Sequence, residues 1–290
     1  MKRKELFKKM LEDAKKEDFG YIGTGNLDSK ILIIGKEVAI AEKDELLIKQ
    51  YQNNQSLWND DLNKTIWDIP LRNLENHSPI CPYKGQYLKI NKNENWGTSR
   101  TWYNYQKLHN YIFGDSYNRI NFHKNFFLTE INSKPSPKTI DADTRTIKSR
   151  KDFIKTSEYF QSFPIVILAG LGYFEISENY NEIEEMFKVK FEQKDLANGK
   201  VSNPYWIHWN ENKTKLVINT QQLSMGVSDS LLMDIAMLIK ESNIDFSIDF
   251  DILENAKVRW EKEGESIFKE IQKDEKFIEK DEYKDFMTWV

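Results

Sequence analysis

The chain has 290 residues, a net charge of −4 and an aromatic content of 13%. This length allows one large core or two modest ones, and so many aromatic residues exclude wholesale disorder. A single cysteine, Cys81, excludes a disulfide framework, a cysteine zinc site and an iron–sulfur cluster.

No apolar stretch is long enough for a membrane span, and the basic start is not followed by the apolar run of a secretory signal. We therefore expect a cytoplasmic protein. Residues 251–290 contain 12 acidic and 8 basic side chains, which leaves residues 1–250 neutral. We predict a folded domain over 1–250 and an acidic, helical extension over 251–290.

The first half of the chain predicts an amphipathic helix over 3–17 and a fully buried strand over Ile31–Ile34 that ends at Gly35. A helix over 41–52 follows. Residues 56–99 are polar and irregular, a length of connection that usually carries function or short elements of its own. A second helix is predicted over 101–113.

The second half repeats the alternation of strand and helix. The elements predicted there are strands over 125–131 and 163–170, a helix over 151–160, a hairpin of 205–209 with 215–219, and a helix over 229–240 with Ser228 as its N-cap. Strands that alternate with helices indicate an α/β fold. We predict a three-layer α/β/α sandwich with a central, mainly parallel, four-stranded sheet.

Polar groups follow the carboxyl ends of all four predicted strands, where open α/β sheets bind their ligands. They are Lys36 and Glu37; Thr129, Glu130 and Asn132; Gly170 and Gly172; and Gln221, Gln222 and Ser224. A segment with a local charge of +4, residues 134–155, lies beside them. It could follow a phosphate backbone, or it could be an ordinary solvated face.

The order of these segments resembles the uracil-DNA glycosylase superfamily over about Gly20 to Lys240. Four short motifs carry the resemblance: Gly35-Lys36-Glu37-Val38-Ala39, Leu128-Thr129-Glu130 with Lys134-Pro135-Ser136-Pro137, Ile165 to Gly172, and Thr220-Gln221-Gln222-Leu223-Ser224. The resemblance implies the fold of that superfamily and a monomeric, monofunctional DNA N-glycosylase that needs neither a metal nor another cofactor. Its partner would be DNA, from a phage or damaged.

The same resemblance assigns the catalytic roles. Glu37 stands where the family has a water-activating Asp, and a carboxylate there can activate water and stabilise the cationic sugar. The alternative is that Glu37 only pairs with Lys36 or with a neighbouring basic side chain at a strand end. Gln222 stands where the family has a His that stabilises the leaving base. Lys36, which we place near the base, also raises the alternative of a Schiff-base mechanism.

Glu130 replaces the Asn with which much of the family reads uracil. An ionised Glu only accepts hydrogen bonds, which favours a base that carries an amino group over uracil. The alternative is a salt bridge to Lys134. Ala39 is small where one branch has a blocking Tyr, which leaves room at C5 of a pyrimidine. Together they favour a C5-modified cytosine, such as a glucosylated hydroxymethylcytosine, and a role in phage defence.

The remaining predicted contacts are with flipped DNA. Trp96 would stack on the base, and His77 is the one histidine that we would test. Leu223 and Met225 match the intercalating loop of the family, while Ser224, Gly226, Lys134, Ser136 and Lys138 would contact the backbone. Three alternatives stay open: a uracil-DNA glycosylase in repair, a catalytically inactive relative that binds nucleic acid or nucleotides, and a nucleoside-processing α/β enzyme that acts on small substrates.

Overall fold

The computed structural model describes residues 2–40, 44–69, 78–86, 88, 99–114, 119–197 and 203–246. These residues belong to one unit, Met1–Phe246. The predicted extension over 251–290 lies outside the described residues, as do Trp96 and His77.

Eight helices and seven strands form the described fold. The helices are α1 Arg3–Lys16, α2 Glu45–Gln52, α3 Asn54–Asp61, α4 Arg100–Phe113, α5 Ile147–Thr156, α6 Glu158–Gln161, α7 Glu182–Phe187 and α8 Asp229–Glu241. The strands are β1 Thr24–Gly25, β2 Ile31–Gly35, β3 Phe126–Glu130, β4 Ile165–Leu168, β5 Lys190–Leu196, β6 Pro204–Trp209 and β7 Leu216–Thr220. Among these residues, no helix is both long and apolar enough to cross a membrane.

All seven strands belong to one mixed sheet, in the order β1-β3-β2-β4-β7-β6-β5. The neighbours β3, β2, β4 and β7 run parallel to one another. β1, β6 and β5 join antiparallel at the two sides. The α/β class is therefore confirmed, and so is the predicted hairpin, which is β6 with β7. The prediction of a four-stranded sheet was wrong, because β1, β5 and β6 extend the sheet to seven strands.

β2 is an inner strand of this sheet, between β3 and β4, and its sequence explains why. Ile31, Leu32, Ile33 and Ile34 are all fully buried. Alternate side chains point to opposite faces, so Leu32 and Ile34 pack in one hydrophobic cluster while Ile31 and Ile33 pack in the other. Burial of each such side chain stabilises the fold by roughly 1.5–3 kcal/mol.

All the helices except α2 divide between these two clusters. Apolar side chains of α1, α3, α5, α6 and α7 lie in the first, and those of α4 and α8 lie in the second. Local signals set the ends of α4: the Ser99 side chain accepts a hydrogen bond from the Trp102 amide, and Gly114 ends the helix with a φ of 74°. The predicted helix over 151–160 is two helices, because the chain at Ser157 is extended.

Candidate functional site

Polar segments meet at one edge of the sheet because its four central strands are parallel. β2, β3 and β7 end at Gly35, Glu130 and Thr220, and β4 ends at Leu168. The register places Gly35 beside Glu130 and Ile34 beside Leu168. The sequence prediction that these strand ends lie together is confirmed.

Glu37 lies just beyond β2 with its carboxylate fixed on both sides. The side chain is only 5% exposed. Thr139 donates its hydroxyl hydrogen to Oε1 at 2.5 Å, and Tyr173 donates its phenol hydrogen to Oε2. Burial, followed by this hydrogen bond to Glu37, raises the pKa of the Tyr173 phenol, so the phenol keeps its proton and stays a donor. The alternative pairing of Glu37 with Lys36 alone is not what the structure shows.

The two hydroxyl donors reach Glu37 from different loops. The loop after β3 is tied to the chain beyond β2 by the Ser136 amide, which donates to the Val38 carbonyl at 3.1 Å. The loop after β4 turns sharply at Gly172, where φ is 91°, and the Tyr173 amide donates to the Gly170 carbonyl at 2.9 Å. Such a φ favours glycine. Neither Thr139 nor Tyr173 was predicted from the sequence, although a Gly-Leu-Gly-Tyr run directly after a buried strand is a usable signal for Tyr173.

Glu130 packs its carboxyl group against Gly35 of the neighbouring strand. A Cβ atom at Gly35 would lie 2.1 Å from Oε2 of Glu130, so a side chain there would displace the carboxyl group. Oε2 is buried and has no hydrogen-bond partner among the described residues. Burial first, and then the negative charge of Glu37, raise the pKa of Glu130 to about 8, against an opposing effect of Arg150. Most of this group is therefore a neutral acid at pH 7.

This protonation state corrects the prediction that Glu130 only accepts hydrogen bonds. A neutral carboxylic acid donates through its O–H and accepts through its carbonyl oxygen. The alternative salt bridge to Lys134 is also wrong, because Lys134 donates to Asp143 at 2.7 Å instead.

Arg150, on α5, holds the end of β3 next to the site. Its side chain is fully buried, although it was counted in the basic segment 134–155. Nη2 donates to the Thr129 hydroxyl at 2.8 Å, and Nε donates to the backbone carbonyl of Glu130 at 3.3 Å. The guanidinium group lies 5.1 Å from the ring centre of Phe19 and 5.2 Å from that of Phe153. Arg150 therefore fixes the end of β3 and is not a surface contact for phosphate.

Most other cations of segment 134–155 are also engaged. Lys134 and Arg145 both pair with Asp143, and Lys151 and Lys155 pair with carboxylates of α7. The Ser136 side chain is buried and donates to the Lys138 carbonyl at 2.7 Å. Within the described part of the chain, only Lys138 and Lys148 of this segment are exposed without an ion pair. These ion pairs favour the interpretation of most of segment 134–155 as an ordinary solvated face.

The loop after β7 separates the two predicted wedge residues. Leu223 is fully buried, and the Asn104 side chain of α4 donates to the carbonyls of Leu223 and Ser224. Met225 is 85% exposed. Intercalation by Leu223 is contradicted by this burial, which leaves Met225 as the exposed apolar residue of the loop. Gly226 follows it with a φ of 81°.

The other predicted residues have simpler environments. Gln222 is half-buried, Ala39 is exposed, and the Lys36 ammonium lies 5.2 Å from the ring centre of Tyr173. Ser228 caps α8, as predicted, by accepting from the Leu231 amide at 3.2 Å. The histidines that the structure describes are His109, His123 and His208, and all three are buried.

An open groove of about 890 Å³ lies away from this edge, between α7 and the β5–β6 pair. It contains no predicted site residue, and two of its lysines pair with carboxylates: Lys190 with Glu184, and Lys213 with Glu192. The candidate site is therefore the edge at the strand ends, where a fixed carboxylate adjoins a neutral acid. Within the described ranges, no group of three or more His, Cys, Asp or Glu side chains is arranged to hold a metal ion.

Comparison with family models, with curated proteins and with solved structures finds no match to this chain.

Proposed function

We propose that the protein is a DNA glycosylase, which hydrolyses the N-glycosidic bond of a nucleotide flipped out of DNA. One observation carries the proposal: the Glu37 carboxylate is fixed by Thr139 and Tyr173 beside Glu130, whose Oε2 is buried without a partner. The order of motifs that resembles the uracil-DNA glycosylase superfamily supports it, as do the four parallel strands that bring those motifs together. The proposal also includes a three-layer α/β/α arrangement around the four parallel strands of the sheet.

In the proposed reaction, a water oxygen attacks C1′ while the C1′–N bond breaks and its electron pair passes to the base. Glu37 takes the proton of the water, and its charge stabilises the cationic sugar as the bond lengthens. A carboxylate has about four acceptor positions on its two oxygens, so the bonds from Thr139 and Tyr173 leave room for a water. Gln222 donates a neutral hydrogen bond to the leaving base, in place of a histidine.

Glu130 reads the base in this proposal. A neutral Glu130 donates its O–H to N3 of cytosine and accepts from the N4 amino group, which matches both groups at once. Uracil can be matched as well, through O4 and N3–H, so Glu130 no longer excludes it by charge. The small side chain of Ala39 is what favours a pyrimidine with a C5 substituent, and hence the modified cytosines of phage DNA and a role in defence.

The test is mass spectrometry of bases released from DNA that contains glucosylated hydroxymethylcytosine, hydroxymethylcytosine, cytosine or uracil. We expect release of a C5-modified cytosine and little release of uracil. Release of uracil alone would favour the repair enzyme and would contradict the assignment of Ala39.

A second candidate is a nucleic-acid-binding relative without catalysis. The observation that favours it is that both oxygens of Glu37 already accept hydrogen bonds from the protein, as a carboxylate with a structural role would. Binding to the same DNAs with no base released from any of them would support this candidate.

A further inference from the structure

The short 3₁₀ turn Thr139–Asp141 carries a hydrogen-bond donor to Glu37 directly beside an exposed apolar side chain. Thr139 hydrogen-bonds the carboxylate of Glu37, and the next residue, Ile140, is 89% exposed. Single exposed apolar residues are common on protein surfaces and need no explanation by themselves. Here the position is informative, because Ile140 directly follows Thr139, which donates a hydrogen bond to the candidate catalytic carboxylate of Glu37.

We propose that Ile140 is a wedge that enters the base stack of duplex DNA, and that its insertion withdraws the Thr139 hydroxyl from Glu37. This inference rests on the proposed function. It assigns the partner surface as stacked base pairs, and it makes Thr139 a positioning residue that couples DNA engagement to the acceptor positions that Glu37 has open for water.

The turn lies on the surface of the fold. None of its three residues is buried. Local bonds hold it: the Asp141 amide donates to the Lys138 carbonyl at 3.1 Å, and the Ala142 amide donates to the Thr139 carbonyl at 3.2 Å. A displacement of Ile140 therefore moves Thr139 with it, without the cost of opening a packed core.

The charge beside the turn fits a nucleic-acid partner. Lys138 immediately precedes it, is exposed and has no ion pair among the described residues. An apolar side chain that enters the stack next to a cation that contacts phosphate is the arrangement that minor-groove wedges use.

The sheet places a second exposed apolar residue on the other side of Glu37. Ile140 is on the loop after β3 and Met225 is on the loop after β7, and β2 and β4 lie between these strands. Three strand spacings separate β3 from β7, which is about 14 Å. Glu37 follows β2, so the candidate carboxylate lies between the two loops that carry exposed apolar side chains.

The coupling follows from the chemistry of carboxylates. The Thr139 hydroxyl occupies an acceptor position on Oε1 of Glu37. Loss of this bond, while Tyr173 still orients the other oxygen, frees that position for the attacking water. The carboxylate would become fully active only when the wedge has entered a duplex.

The test compares Ile140→Ala with a matched control, Met237→Ala, which shortens a side chain that is 54% exposed on α8. The fluorescence of 2-aminopurine placed beside the target base reports unstacking, and base release is measured from duplex and from single-stranded DNA. We expect Ile140→Ala to lose the fluorescence increase and at least tenfold of the duplex rate, with a single-stranded rate within twofold of the wild type. Met237→Ala should match the wild type in both.

Two Thr139 variants test the coupling. Thr139→Val removes the hydroxyl and should raise the single-stranded rate several-fold, whereas Thr139→Ser keeps the hydroxyl and should keep the wild-type ratio of duplex to single-stranded rates. An unchanged single-stranded rate in Thr139→Val would overturn the coupling.

Equal 2-aminopurine signals for Ile140→Ala and the wild type would overturn the wedge. If no DNA loses a base but the wild type still unstacks 2-aminopurine and Ile140→Ala does not, the proposed function fails, the coupling fails with it, and the wedge stands.

Discussion

At the scale of single residues, the protonation of Glu130 decides what the site can recognise. Burial without a hydrogen bond to Oε2, together with the charge of Glu37, holds the pKa of this carboxyl at about 8. Arg150 is close enough to oppose the shift, but its donors are directed to the Glu130 backbone carbonyl and to Thr129. The carboxyl therefore keeps its proton near neutral pH and offers both a donor and an acceptor.

Glu130→Gln should change how stability depends on pH. The pKa of Glu130 is about 8 in the folded chain against an ordinary 4.5, so between these values the unfolded chain releases a proton that the folded chain keeps. The free energy of unfolding of the wild type therefore falls as pH rises from 4.5 to 8. Glutamine does not titrate, so the free energy of unfolding of the variant does not show this fall. By pH 8 the variant should therefore have become more stable relative to the wild type by a few kcal/mol, at about 1.4 kcal/mol per pKa unit.

Urea unfolding at several pH values between 4 and 8.5 measures the difference. The control is Glu12→Gln, which changes an exposed glutamate on α1 and should follow the wild-type curve. Parallel curves for Glu130→Gln and the wild type would show that Glu130 is ionised in the fold.

At the scale of elements, loops that follow parallel strands build the site, and their anchors decide which side chains are presented. The loop after β7 is held down by Asn104 of α4, which buries Leu223 and leaves Met225 exposed. The loop after β3 is held by Ser136, and it presents Thr139 to Glu37. The loop after β7 therefore carries the buried Leu223 close to the exposed Met225. The loop after β3 carries Thr139, which binds Glu37, next to the exposed Ile140.

Leu223→Ala and Met225→Ala should therefore have opposite effects. Leu223 is fully buried, and its truncation should destabilise the fold by about 2–5 kcal/mol. Met225→Ala should change stability by less than about 0.5 kcal/mol, because the side chain is exposed, but it should slow base release from duplex DNA. Urea unfolding and base-release rates of both variants check this, and a stable Leu223→Ala with slow base release would restore Leu223 as the wedge.

At the scale of the whole molecule, ion pairs within the protein engage most of the cations of segment 134–155 that the proposed DNA binding could use. The excess of +4 over 134–155 is real in composition, but Arg150 is buried and four other cations pair with Asp143, Glu182 and Glu185. Among the described residues of that segment, Lys138 and Lys148 are exposed without an ion pair, and these are the cations that the proposed DNA binding would use. Each phosphate contact contributes about −0.9 to the slope of log affinity against log salt concentration.

Lys138→Gln should therefore make that slope shallower by about 1, because an unpaired cation is lost. Lys134→Gln is the matched control: its ammonium is held by Asp143 at 2.7 Å, so the slope should change by much less. Filter-binding or anisotropy titrations at four salt concentrations measure both slopes. Equal changes for the two variants would mean that the Lys134–Asp143 pair opens on DNA.

The sequence predicts the parts of this fold that depend on local hydrophobic runs. β2, β3, β4 and the β6–β7 hairpin are recognisable because apolar runs end in glycine or polar residues. β5 is missed because its residues, Lys190–Leu196, are polar and mostly exposed, and β1 is missed because it has two residues. Neither strand has an apolar run or an alternation long enough to detect.

The site is predictable to the same degree, for the same reason. Glu37 and Glu130 are found because they lie at the carboxyl ends of buried strands, whereas Thr139 and Tyr173 depend on how two loops fold back. Arg150 was assigned to the surface because charge alone does not report burial. Its spacing from Phe153 and Ile154, three and four residues on, places it on the buried face of α5 and could have corrected the assignment.

The central claim is that the fixed carboxylate of Glu37 activates water for base release. Glu37→Gln keeps the size of the side chain and its acceptor oxygen but cannot take a proton. Single-turnover base release and DNA affinity of this variant, measured beside the wild type on the DNA from which it releases most, test the claim most directly. We predict that the rate falls by at least a hundredfold while the affinity changes by less than about threefold. Release by Glu37→Gln at the wild-type rate would contradict the claim.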